Sequence, residues 1–209
     1  MVCECQRRQC AAEPQHELTA LELWRCPSLT SLTALVARQP QLRSIKLSDC
    51  GGLTRVGGLG SSLTSLSFYS CYALTLDGFA ALAPPRLASL KFRFCDGITS
   101  LQGLSGVGLG ALTSLEVYSG QLTSLHGFEH AGLSTLRVLR LRCYALSTLQ
   151  PLDLCNLASV VWLNLNNCSR LPSLAGLGAL PVLASLDLRG CTSLRIARRA
   201  IPTSVVVRG

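Results

Sequence analysis

The sequence predicts an α/β solenoid of about eight coils. Its short strands stack into one curved parallel sheet on a concave face, and short helical or extended segments form the convex side. Three observations carry this. Paired apolar residues recur at a near-constant interval through most of the 209 residues. A small residue, usually Cys, follows most pairs by three positions. A glycine recurs in the second half of many units, where the chain has to bend back.

The paired anchors are Leu21/Leu23, Ile45/Leu47, Leu66/Phe68, Leu90/Phe92, Leu115/Val117, Leu139/Leu141, Leu163/Leu165 and Leu186/Leu188. Successive first anchors are 24, 21, 24, 25, 24, 24 and 23 residues apart. Within each pair the apolar residues alternate with period two, so both point to one face of a short strand. Such a strand cannot enclose its own apolar face, and stacked copies can. Later leucines in each unit, Leu29, Leu32 and Leu35 in the first, turn the chain around and fill the same interior from the other side. Each fully buried leucine contributes about 1.5–3 kcal/mol.

Three segments follow. Residues 1–17 are an irregular N-terminal segment, residues 18–194 the solenoid, and residues 195–209 a basic C-terminal cap. The first carries Cys3, Cys5 and Cys10 with His16 behind them. That spacing lacks the paired knuckles of structural zinc sites, and Val2 excludes N-myristoylation. Glycine marks the bend at Gly58, Gly78, Gly103, Gly127 and Gly176. The cap carries Arg195, Arg198 and Arg199, and Val205 and Val207 are placed to form a last short strand over the open core.

The repeated pattern L-x-x-L-x-L-x-x-C-x-x-L-x-x-L resembles the leucine-rich repeat family over residues 18–194. The resemblance implies a horseshoe-like solenoid that binds other molecules. It is specific for fold and not for function, because such repeats host many partners. The Cys slot is filled by Cys26, Cys50, Cys71, Cys95, Cys168 and Cys191. Coils five and six depart from it: Gly120 stands in place of Cys, and Cys143 arrives one residue early. A thiol at that slot acts as a compact hydrophobe, and stacked parallel slots have poor geometry for a disulfide. Free buried thiols imply a reducing, intracellular compartment, with the cytoplasm as the expected site.

Hydrophobic residues make up 48% of the chain and charged residues 14%, too apolar a balance for disorder. No apolar run approaches the roughly 20 residues that span a bilayer, and the first residues show no signal-peptide pattern. The net charge is +8, and apart from Lys46 and Lys91 the basic residues are all arginine. Arginine suits carboxylate, phosphate and aromatic partners.

No catalytic constellation, metal site, cofactor motif or small-molecule substrate site is expected. His126-Gly-Phe-Glu129-His130 matches a zinc-peptidase pattern, yet it falls in a turn filled elsewhere by Asp77-Gly-Phe. Asn167-Cys-Ser169 is formally a glycosylation sequon, but Cys168 is expected inside the core.

Function is expected on the concave face. The middle residue of each pair gives a track containing Lys46, Lys91, Glu116, Arg140 and Asn164. The residue after the pair gives a second track containing Trp24, Tyr69, Arg93, Tyr118, Arg142, Asn166 and Arg189. Glu116 lies between Lys91 and Arg140, and Tyr118 between Arg93 and Arg142, within cation–π reach. Arg, Tyr and Trp dominate interface energetics. The sequence therefore reads as a non-catalytic protein-interaction module, a scaffold, adaptor or assembly subunit within a larger complex. The alternative is a subunit of a ribonucleoprotein particle that contacts RNA or acidic protein through its arginines.

Overall fold

A computed structural model describes residues 18–56, 59–77, 79, 85–195, 201 and 204–209. The expectations for Cys3, Cys5, Cys10 and His16, for Gly58 and Gly78, and for Arg198 and Arg199 lie outside the described residues. The strands are β1 (Ala20–Trp24), β2 (Ser44–Ser48), β3 (Ser65–Tyr69), β4 (Ser89–Arg93), β5 (Ser114–Tyr118), β6 (Val138–Arg142), β7 (Trp162–Asn164), β8 (Ser185–Asp187) and β9 (Val206–Arg208). They form one sheet in sequence order, and every neighbouring pair is parallel.

The register follows the anchors. Leu21 pairs with Ile45, Ile45 with Leu66, and so on through Leu163 with Leu186. All sixteen anchors are at most 6% exposed. Their neighbours within each strand alternate outward, as a period-two pattern requires. Phe68 and Phe92, second anchors of adjacent strands, stack at 5.4 Å between ring centroids. Each coil thus extends a single continuous core.

The return segments are mostly extended, with short turns. One α-helical turn, α1 (Thr33–Val36), follows β1, and 3-10 turns occupy Gln102–Leu104, Gln150–Leu154 and Leu177–Ala179. Two of the periodic glycines show why the bend needs glycine. Gly127 and Gly176 both hold φ +106°. A Cβ there would lie 2.3 Å from the carbonyl oxygen of Leu101 or Leu149 in the preceding coil. These are places of close backbone approach between coils as well as turns.

After most strands one residue takes a left-handed conformation and swings the next side chain inward. Arg25, Asp49, Ser70, Phe94 and Asn167 hold φ of 51–62°, and Gly190 holds +75°. The inward side chain that follows is the cysteine. In coils three, four, seven and eight its thiol donates to a backbone carbonyl of the preceding coil, as from Cys168 to Leu141 at 3.3 Å and from Cys191 to Leu165 at 3.0 Å, whereas Cys50 donates to Ser48 O of its own coil. Cys50, Cys71, Cys95, Cys143, Cys155, Cys168 and Cys191 form no disulfide among the described residues.

Coil five corrects one reading. Gly120 does not occupy the slot; Ser119 does, 2% exposed, with its hydroxyl donating to Ile98 O at 3.0 Å. Ser119 follows Val117 by two positions, as Cys143 follows Leu141, so coils five and six share a turn shortened by one residue. Cys143 keeps the ladder bond, to Val117 O at 3.4 Å.

The last strand also differs in detail from expectation. It spans Val206–Arg208, with Val205 just before it buried and Val207 42% exposed.

Candidate partner-binding face

The outward side chains of the sheet form three columns. The middle one runs Glu22, Lys46, Ser67, Lys91, Glu116, Arg140, Asn164, Asp187 and Arg208, in register across all nine strands. A second contains Trp24, Ser48, Tyr69, Arg93, Tyr118 and Arg142, and is continued by Asn166 and Arg189 just beyond the shorter strands β7 and β8. A third lies one step before the first anchor: Ala20, Ser44, Ser65, Ser89, Ser114, Val138, Trp162 and Ser185.

The centre of this face is built around a buried carboxylate. Glu116 is 0% exposed, and Arg93 grips it bidentately, Nε to Oε1 at 2.7 Å and Nη2 to Oε2 at 3.0 Å. Arg140 approaches the same carboxylate from the other side at 4.0 Å. Burial pushes the Glu116 carboxyl up, but the Arg93 hydrogen bonds and the charges of Arg93 and Arg140 outweigh it and hold the group below its ordinary value. Among the candidate contact residues, Glu116 therefore lies beneath the surface and fixes Arg93. Lys91, its neighbour in register, makes no ion pair among the described residues.

Cations lie over the rings of the sheet. Arg93 and Arg142, from the strands on either side of Tyr118, sit 5.5 and 4.9 Å from its centroid. Arg140 lies 4.3 Å from the centroid of Trp162, and Lys46 5.1 Å from that of Trp24. Tyr69, Phe94 and Tyr118 continue as an edge-to-face series with centroids 5.3 and 6.3 Å apart, an arrangement the ring quadrupoles favour.

Toward each end of the face a carboxylate pairs with a neighbouring cation. Lys46 pairs with Glu22. Arg189 grips Asp187 through Nε at 2.9 Å and Nη2 at 2.6 Å, which holds that carboxyl below its usual range. Asn164 accepts the backbone N–H of Asn166 at 2.9 Å, and Asp187 accepts that of Arg189 at 3.2 Å. These local side-chain turns compete with ladder bonds, which accounts for β7 and β8 stopping after three residues.

Two aromatics that take part in these ring contacts were not among the sequence candidates. Trp162 sits in the column before the anchors, a position the alternation itself exposes. Phe94 occupies the left-handed turn position and is 42% exposed, a conformation that no sequence periodicity signals for a bulky residue. Elsewhere, the His126–Glu129 contact of 3.1 Å belongs to a turn, with Glu129 also accepting the Gly127 N–H. No cluster of three or more metal-ligating side chains occurs among the described residues. No helix among them is long and apolar enough to cross a membrane.

Comparison with solved structures places this architecture. The leucine-rich repeat domain of the type III effector XopL superposes with a TM-score of 0.59 at 19% sequence identity, over 93% of this chain and 77% of that one. An internalin from Listeria monocytogenes gives a TM-score of 0.42 at 15% identity, over 86% of this chain and 70% of that one. No protein-family model and no curated protein sequence matches the chain. The chain has the leucine-rich repeat fold.

Proposed function

We propose that the protein is a non-catalytic interaction module, which binds another protein across the outward, concave face of its sheet and the adjoining rim where the strands end. The carrying observation is the segregation of its aromatic residues. The chain has two Trp, four Tyr and five Phe. Phe68, Phe79, Phe92 and Phe128 are buried. The other seven, among them every Trp and every Tyr, stand on the strand face (Trp24, Tyr69, Tyr118, Trp162) or in the turns at its rim (Tyr72, Phe94, Tyr144). Folding needs none of these rings in the core, and Tyr, Trp and Arg are the side chains that carry interface energy.

Phe94 adds a second support. Its slot is filled by Asn167 in coil seven and Gly190 in coil eight, residues that tolerate a left-handed backbone. A phenylalanine held there at φ 56° carries backbone strain, yet its ring stays 42% exposed and packs only edge-to-face with Tyr69 and Tyr118 on the outer face.

Affinity capture from cells that express the chain, with and without nuclease, tests the reading. A nuclease-resistant protein partner is expected with the native chain and lost with Tyr69→Ala/Phe94→Ala, whose melting temperature is unchanged. Retention of the partner by that variant would refute the assignment of the face.

A further inference from the structure

We infer that the partner is an acidic polypeptide segment, whose carboxylates seat against Lys91, Arg140 and Arg142 at the centre of the face. This rests on the proposed function and adds the chemistry of the occupant. Over β4–β6 the outward columns carry four cations, Lys91, Arg93, Arg140 and Arg142, against the single carboxylate of Glu116. That carboxylate is buried and committed to Arg93. Arg140 reaches it only at 4.0 Å, and among the described residues neither Lys91 nor Arg142 has an ion-pair partner. Asp96, in the adjoining turn, is occupied by the Gly120 N–H at 2.7 Å. The centre is thus left with uncommitted positive charge, while Lys46–Glu22 and Arg189–Asp187 are paired at either end.

Around Lys91, Arg140 and Arg142 the ring geometry favours a polypeptide over a nucleic acid. Single-stranded nucleic acids gain much of their affinity by stacking bases on free aromatic faces. Here Tyr118 has a guanidinium from each neighbouring strand, and Trp162 and Trp24 each carry a cation. Arg93, Arg140 and Arg142 are held against these rings and remain partly exposed, an arrangement suited to planar carboxylates.

Panning phage-displayed short random peptides against the intact chain, followed by affinity measurement on selected peptides, tests this. The expected peptides are enriched in Asp and Glu over the unselected library, and their binding weakens steeply with added salt. The same peptides bind Lys91→Gln/Arg142→Gln at least about tenfold more weakly, and bind Arg38→Gln, altered away from the sheet, as the native chain. Lys91→Gln alone, at a side chain with no ion pair to lose, gives a smaller loss and covers failure of the double variant to fold. Peptides without acidic enrichment that still need Tyr69 and Phe94 would overturn the inference and leave the proposed function standing. Peptides indifferent to every substitution on the face, or no selected peptides, would overturn both. A single-stranded RNA oligonucleotide that displaces the peptides and depends on Lys91 and Arg142 would reassign the centre to nucleic acid and sink the inference.

Discussion

Arg93 on β4 donates two hydrogen bonds to the wholly buried carboxylate of Glu116 on β5, at 2.7 and 3.0 Å. The pair joins adjacent coils and fixes the guanidinium that covers one side of Tyr118. One carboxylate under the sheet surface therefore organises the aromatic and cationic groups above it.

Replacing that carboxylate has a pH signature. Glu116 is held below its ordinary value of 4.5, so its contribution to stability is complete above that value and is lost as pH falls through the lower folded value. Glu116→Gln is expected to cost roughly 1.5–3 kcal/mol at neutral pH, the range for a charge-assisted hydrogen bond. Thermal melts over a pH series should show the gap between native chain and variant closing in acid. A gap that persists unchanged below the carboxylate range would show that Glu116 acts through packing alone.

At Cys95, Cys143 and Cys168 the cysteine ladder predicts chemical inertness. Burial pushes the thiols of Cys95 and Cys168 up to about 12 and that of Cys143 higher still. Only the thiolate reacts readily, so alkylation of the folded protein at mildly alkaline pH should spare these three and proceed at the rate of unfolding. Rapid modification of Cys143 or Cys168, mapped by mass spectrometry while the circular dichroism is unchanged, would contradict the ladder.

A pair of glycines separates close approach from mere helix interruption. Gly176→Ala places a Cβ against Leu149 O at a φ of +106° and is expected to cost at least about 1–3 kcal/mol. Gly178→Ala, two residues on, meets nothing within 4 Å and should stay within about 0.5 kcal/mol of the native chain. Equal melting temperatures for the two variants would count against the packing described between coils.

The fold was legible in the sequence because stacking constrains it in the same way in every coil. The leucine pairs specify inward positions, and the observed register joins those same residues across all eight anchor strands. Two of the three outward columns were legible for the same reason, and so was Tyr118 between its two arginines. What escaped depended on backbone conformation or on side-chain competition. The one-residue shortening in coils five and six moves the inward slot to Ser119, which the repeat pattern assigned to Gly120. Phe94 turns toward solvent through a left-handed φ that alternation does not encode. Glu116, read as one member of a charged row, is drawn under the surface because Arg93 can reach it from the neighbouring column.

Site-specific photocrosslinking tests the central claim, that the strand face and its rim meet the partner, most directly. A photoreactive phenylalanine analogue is placed at exposed Phe94 in one chain and at exposed Leu154, in the return segment after β6, in another. The account predicts a covalent adduct to a discrete protein from position 94 and none from position 154, with both chains melting as the native one does. Adduct formation from position 154 with none from 94 would contradict it.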